Sequence, residues 1–540
     1  MPARPHPPWL PLVAAALALG LAACEREQGR LTLQLVASAD PLDAPLDGVA
    51  QSLRITVTGA QGRSGPVVSP VSAGRARLPE LPVGGGQTIT VEGLGPAGNV
   101  VSRGRSAPLS IGAGERVLAL YLGRLERFSA VAATASGKRR GMAEGRAFHA
   151  AATLRDGSLL FVGGSPTAWR PEQATAPRAT ASVERLDGNA LRFSDDSPCD
   201  LPRGCLQRPR VGHTATHLAL DDTVIIAGGA AAGGTATTAT DTTEIYSAAS
   251  GAFFEGPPLG TARTEHAAVA LAPNQVALAS GRSGEALTDG AELYRRGALT
   301  PLPRLRQARR NFTLTALAEG TLIVAGGFDA RDLPLASTEL LLPGAPQWTA
   351  GPPLRVARAH HTATLLANDT VLLVGGLGEG GLATPAVEQL DLQESRLVVE
   401  LTTPRWDHTT SLLRDGRLLV VGGFALNINS SPSNSFDELQ ISSSGSFNAR
   451  ALLSAPPARR PQRYGAVLGL ALGRRRPDRN GPPWLWRRHG GAAGHRHGRG
   501  LRLLGPKQAR PALVLGPVDD SGGFRKAPSS RGMNPRDFTP

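Results

Sequence analysis

Short apolar runs that end in a glycine pair recur along the chain. Leu159-Leu160-Phe161-Val162 runs into Gly163-Gly164 and Val224-Ile225-Ile226-Ala227 into Gly228-Gly229. The same event returns at Gly326-Gly327, Gly375-Gly376 and Gly422-Gly423, with Ser280-Gly281 in the remaining slot. From one second glycine to the next the steps are 65, 52, 46, 49 and 47 residues. Other columns keep the same phase. An arginine recurs as Arg146, Arg210, Arg263, Arg309, Arg358 and Arg405, followed three residues on by His149, His213, His266, Phe312, His361 and His408. A glutamate follows each glycine pair: Glu184, Glu244, Glu292, Glu339, Glu388 and Glu438.

Consecutive apolar residues mark strands covered on both faces, and Asp156-Gly157 or Asp415-Gly416 just before them marks a tight hairpin. Glycines at the strand end permit positive φ or close backbone approach. A third strand is predicted around each glutamate, as in Thr243-Glu244-Ile245-Tyr246, and a fourth around Phe253-Phe254 or Trp348. Each unit is therefore a four-stranded antiparallel sheet of about 50 residues. Taken together, the glycine pairs, the Glu/Tyr positions and the tryptophan resemble those of kelch-repeat β-propellers, over about residues 128–470. The departures are Ser280 for glycine and Phe312 for histidine. The resemblance implies an all-β fold with six recognisable blades and a seventh that is disrupted: Arg460, Arg463 and Leu468 restart the pattern, and Asp478-Arg479 stand where its glycines belong. Residues 128–143 end like a fourth strand that would complete the last blade. One arginine and one histidine per repeat lie too far apart to converge on a metal, so structural hydrogen bonding or ion pairing within or between blades is expected, for instance of each arginine with the in-phase glutamate of a neighbouring blade; the alternative is that one or two of them line the channel mouth as ligand contacts.

Residues 31–127 have a different rhythm. Leu31–Val36, Ser52–Val57, Gln87–Val91 and Arg116–Tyr121 are strand-like and separated by Gly/Pro turns, which predicts a small immunoglobulin-like β-sandwich. Ahead of it, an apolar run from Trp9 to Ala23 is too short for a membrane span and ends in Leu21-Ala22-Ala23-Cys24. Those four residues resemble the lipobox of bacterial lipoproteins. That resemblance implies a signal peptide over 1–23, lipidation of Cys24, a linker over 24–30, and attachment to the cell envelope at the outer membrane or surface of a Gram-negative-type bacterium. In such an oxidising compartment Cys199 and Cys205, with five residues between them, are expected to form a disulfide. Half of a metal site is the alternative, disfavoured by spacing and by the lack of a nearby histidine.

Charge changes the picture only at the C-terminus. The net charge is +14, but residues 456–540 hold 18 of the 58 basic and 4 of the 44 acidic residues, so the first 455 are balanced. Most of the basic excess belongs to residues 471–540, where the repeat has ended. Two readings stand: a frameshift between Leu468 and Asp478, or a genuine low-order basic tail. Read one base further on, the codons of residues 495–503 permit a third-strand motif like that of the second repeat. Export argues against a nucleic-acid partner for this tail.

The function expected from these features is noncatalytic binding of a protein or glycan by the propeller face, with no cofactor, no metal and no catalytic residue assigned. The loops 230–240 and 425–435 are candidate contacts. Kelch propellers also carry copper radical oxidases resembling galactose oxidase, whose site needs a Tyr–Cys cross-link. Here the mature tyrosines, Tyr121, Tyr246, Tyr294 and Tyr464, and the two loop cysteines do not supply it. Mutarotation of sugars, which needs only a few carboxylates, is the enzymatic alternative.

Overall fold

The computed structural model describes residues 30–452 except 39–48, 61, 72–77, 80–83, 112–114, 126–130, 133–140, 167–177, 196–197, 201, 232–238, 273, 414, 427–434 and 442–446. The leader with Cys24, the start of a seventh repeat at Arg460, Arg463 and Leu468, and the basic tail lie outside them. Among the described residues there is no α-helix; strands account for nearly all regular structure.

Six small antiparallel sheets follow one another in register with the sequence repeat. Their leading strands are Ala150–Thr153, Thr214–Leu218, Ala267–Ala272, Thr313–Ala316, Thr362–Leu365 and Thr409–Leu412. Each lies beside the leading strand of the next repeat. Sheets two to six have four strands in simple up-and-down order, and the first has three. Its fourth position is held by a single bridge from Phe193 to Leu186.

The apolar runs become the second strands, and their consecutive hydrophobicity has a direct use. Alternate side chains pack on opposite neighbours: Val224 and Ile226 join Leu160 and Val162 of the sheet before, while Ile225 and Ala227 join Val276 and Leu278 of the sheet after. The series continues through Ile323 with Val371 and Leu373 to Leu372 and Val374 with Leu418 and Val420. It thins at the far side of the sixth sheet, where Leu418 and Val420 are buried but Leu419 and Val421 only partly so.

Of residues 128–143, the described Val131–Ala132 lies against the first sheet, with Ala132 bridging parallel to Arg192 and Val131 packed on Phe161 and Phe193. Of the stretch expected to complete a last blade, 128–143, residues 128–130 and 133–140 lie outside the described residues.

In the N-terminal region, Ser52–Gly59 pairs with Gly62–Pro70 on one side and Gly84–Leu94 on the other, and Val100–Arg105 and Gly123–Arg124 extend the sheet. Arg30–Val36 and Glu115–Tyr121 form a separate parallel pair. Both sheets bury one core, with Leu118 and Leu120 against Leu53, Ile55, Val57, Ile89 and Val91. All four expected strands are present. The strands missed are those broken by Gly and Pro, above all the mostly exposed Gly62–Pro70, which needs no apolar alternation because it covers an edge. Asn189 of the first repeat joins this region, accepting from Tyr121 N–H at 2.7 Å through its carbonyl and from Ala107 N–H at 2.8 Å through its side chain.

Candidate functional site

The arginine column is buried. Arg210, Arg309, Arg358 and Arg405 have no accessible surface, and Arg146 and Arg263 almost none. In every repeat Nη1 donates to two carbonyls: that of the first residue in the glycine-pair slot and that of the residue leading into the third strand. These are Gly228 and Thr242 for Arg210, and Gly375 and Ala386 for Arg358, both at 2.8 Å. Nη2 meets a carboxylate: Glu184 at 2.9 Å, Glu244 at 2.7 Å, Glu292 and Glu339 at 2.6 Å, and Glu388. The same carboxylates accept N–H groups from the chain just before the arginine, as Glu339 does from Arg306 and Gln307. Burial lowers the pKa of Arg210, Arg263, Arg309, Arg358 and Arg405, and the facing carboxylate opposes it. The guanidinium remains charged.

Two expectations about this column are corrected. The carboxylate belongs to the same repeat, because the arginine enters the leading strand of the sheet whose third strand carries the acid. In the sixth repeat the partner is Asp437, at 2.8 Å, and not Glu438. Asp437 pairs across the ladder with Val420, as Glu388 does with the equivalent Leu373. Glu438 is one residue further on and so on the other face, where it meets Arg417. Aspartate is shorter, and the hydroxyl of Thr402 reaches in to meet it.

The histidines join successive repeats. His213 Nε2–H donates to the Val162 carbonyl at 3.1 Å. His266, His361 and His408 each place Nε2 3.0 Å from the hydroxyl of Thr214, Thr313 and Thr362 in the preceding repeat. In the first, second, fourth and fifth repeats the first glycine of the pair makes room for the ring: a Cβ on Gly326 would lie 2.9 Å from His361 Cε1 and 2.4 Å from the Arg358 carbonyl oxygen. Burial, with the nearby arginine, lowers the pKa of His149 to about 4 and of His266 and His408 to about 3. His213 and His361 are lowered well below the usual value for the same reasons. The rings are neutral.

The two departures from the repeat fall at one junction. Ser280 precedes the turn that Phe312 enters, and its hydroxyl donates to the Arg309 carbonyl at 2.8 Å and accepts from the Arg309 N–H at 2.9 Å. Phe312 packs in a cluster with Ala277, which stands where the other repeats carry Leu160, Ile225, Ile323, Leu372 and Leu419. A larger ring is matched by a smaller strand residue. Phe312→His and Ala277→Ile should each cost about 2 kcal/mol, through a cavity and through overpacking. Together they should cost at least about 1 kcal/mol less than the sum. Urea midpoints of the two single variants and the double variant measure this coupling, and strict additivity would refute it.

Between each arginine and histidine the chain makes a left-handed turn. Phe148, Gly212, Glu265, Asn311, His360 and Asp407 have φ between 49° and 61°. For side chains such as phenylalanine and glutamate that conformation is costly and persists only where the surroundings impose it. Main-chain bonds link the turns across repeats: Gly212 N–H to Phe148 O, Asn311 to Glu265, His360 to Asn311 and Asp407 to His360, at 3.0–3.2 Å. Beside each turn the residue after the arginine bridges the residue after the second glycine, giving Arg310 with Phe328, Ala359 with Leu377 and Trp406 with Phe424.

These positions share one backbone geometry and differ in chemistry. In the first two repeats the bridged pairs are small or aliphatic: Ala147 with Ser165, Val211 with Ala230. In the fifth repeat the pair is again aliphatic, Ala359 with Leu377, but the bridged residues of the fourth and sixth repeats and the turn residues of the third, fifth and sixth form a continuous polar and aromatic cluster. Arg310 binds Glu265 at 3.3 Å and Asp332 at 2.7 Å and covers the Phe328 ring at 4.9 Å. Phe328 meets His360 edge-on, His360 meets Trp406, and Trp406 stacks on Phe424 at 4.7 Å. His360 Nδ1 lies 2.7 Å from Asp407. This cluster is the candidate site. Sequence reading passed over it because the residues do not repeat; the available signal was variation inside an otherwise constant Arg-x-x-His frame.

Of the other expected residues, Cys199 and Cys205 form a disulfide with Cα atoms 4.6 Å apart, at the turn Pro198–Asp200. The central parts of both candidate loops, 232–238 and 427–434, lie outside the described residues. A shallow cleft at Arg304, Arg306, Gln347, Trp348 and Thr349 lies on outer strands; Trp348 is buried there and donates to the Pro303 carbonyl at 2.9 Å. Among the described residues no group of three or more metal-ligating side chains forms, and no helix is long and apolar enough to cross a membrane.

No family model and no curated protein matches the chain. Among solved structures, that of YjhT is similar at a TM-score of 0.44 and 9% sequence identity, covering 57% of this chain and 99% of that one.

Proposed function

We propose that the protein is an exported, lipid-anchored binding protein of the cell envelope, whose six sheets are blades of a kelch-type β-propeller and whose inner loops hold a protein or glycan without catalysis. The observation that carries this is the division of labour within the repeat. Arginine, carboxylate, glycine and histidine keep one geometry, while the turn positions they fix, from Glu265 to Asp407, carry different chemistry in each repeat. A constant frame presenting variable loops is how repeat folds build recognition surfaces.

The full chain, purified in detergent, should retain peptides or oligosaccharides on arrays, and Asp407→Asn should reduce that retention. Turnover of galactose or sialic acids by the same preparation would refute noncatalytic binding. The anchor has its own test. Cys24→Ala should move the protein from the membrane fraction to the soluble fraction, and an unchanged distribution would remove the lipid from the proposal.

A further inference from the structure

We infer that the inner loops of the third to sixth repeats receive a polypeptide segment in which a basic side chain lies between apolar ones. This rests on the binding reading above and narrows it to one class of partner.

The first argument is what the aromatic residues do. A sugar site presents open ring faces. Here Trp406 is only 9% exposed and stacked on Phe424, and Phe328 lies under the Arg310 guanidinium. The rings pack one another and stiffen the loops.

The second is what is exposed instead. Leu333, Leu382 and Leu426, in the loops that follow the glycine pairs of the fourth, fifth and sixth repeats, are each more than half exposed. The loops of the last two touch, since Ala383 N–H donates to the Leu426 carbonyl. Phe148, at the left-handed turn of the first repeat, is also exposed. Aliphatic side chains displayed in consecutive loops, with no polar handle, fit the apolar residues of a peptide better than a pyranose.

The third is the direction of the charges. In the contacts of the cluster the carboxylate is the more exposed partner. The Arg310 side chain is 14% exposed, against 32% for Glu265 and 66% for Asp332, and the His360 ring is more covered than the Asp407 carboxylate it meets. The carboxylates of Glu265, Asp332 and Asp407 thus keep accessible surface in the same loops and turns that display the leucines. A lysine or arginine held between two apolar side chains complements that arrangement, and an acidic segment is repelled by it.

The test uses the full chain in detergent and immobilised short peptides carrying one lysine between two leucines, with glutamate or norleucine versions as controls and neutral oligosaccharides as a separate arm. Lysine peptides should be retained, and retention should fall with salt and drop at least about tenfold when lysine becomes glutamate. Asp332→Asn with Asp407→Asn should weaken binding about tenfold, and Leu426→Ser about threefold. Leu382→Ser serves if the double variant fails to fold. Equal retention of lysine and glutamate peptides would overturn the inference, as would retention of oligosaccharides alone, an outcome that leaves the binding reading standing. Sugar turnover would end both.

Discussion

Replacing Arg358 by methionine should cost about 3–5 kcal/mol, because it strands a buried carboxylate and two carbonyls together. The Arg358 side chain has no accessible surface, nor has Glu388, and the same guanidinium satisfies Gly375 O and Ala386 O. Lysine in its place keeps the charge but not the planar fork, and should recover only part of the loss. Adding Glu388→Leu to the methionine variant should recover more, by removing the unpaired charge. It leaves the Arg355 and Val356 N–H groups without their acceptor and so stays short of the parent. The contrast is Arg304→Ala at the exposed pair with Asp289, expected within about 1 kcal/mol of the parent. Urea unfolding of the four variants measures the series. An Arg358→Met midpoint equal to that of Arg304→Ala would show that the buried column carries no special weight.

The size of that effect bears on the candidate site. The arginine ties together the end of the second strand, the entry to the third strand and the segment that crosses into the leading strand. The left-handed turn begins two residues later. Glu265, Asn311, His360 and Asp407 hold positive φ between two buried side chains, the guanidinium on one side and, on the other, the inter-repeat histidine or, after Asn311, Phe312. Stability and recognition are thus separate columns of one repeat: losing Arg358 should abolish both, and losing Asp407 only the second.

How much of this was legible in the sequence follows from which residues repeat. The second strands were plain because they pack on two neighbours and need apolar residues on both faces, as Ile323 and Val324 do. The glycine slots were plain because a Cβ at Gly375 would strike the Arg405 carbonyl and the His408 ring. Phase alone could not say whether Arg358 meets the acid of its own sheet or of the next, since both lie at a constant offset. Nor could it choose Asp437 over Glu438, because the slot is defined by which face of the strand a residue occupies, and a one-residue shift reverses the face. The candidate site was invisible to a search for repetition, since Arg310, Phe328 and Trp406 matter by being unlike Ala147, Ser165 and Val211.

Acid should unfold the protein well above the pH at which carboxylates protonate. Five histidines are buried neutral, with His149 held near pKa 4, His266 and His408 near 3, and His213 and His361 well below the usual range. In the unfolded chain each titrates near 6.5. Below that pH the unfolded state takes up protons the folded state refuses, so stability is flat above about pH 7 and falls as pH drops through 6.5. At pH 5 each ring costs about 2 kcal/mol, and five together exceed the usual margin of about 5–15 kcal/mol at its lower end. Glu92, Asp222 and Asp415, held low by their arginine and histidine partners against the opposing effect of burial, act in the same direction but only below about pH 4.5. The two windows are therefore separable. His361→Phe, which repeats the Phe312 solution in the next slot, should lose stability at pH 8 by giving up the bond to Thr313, yet lose less than the parent between pH 7 and pH 5. Urea midpoints of parent and variant at pH 8, 7, 6 and 5 should therefore converge as pH falls. Parallel curves, or a parent midpoint unchanged down to pH 5, would mean that these rings accept protons in the folded state.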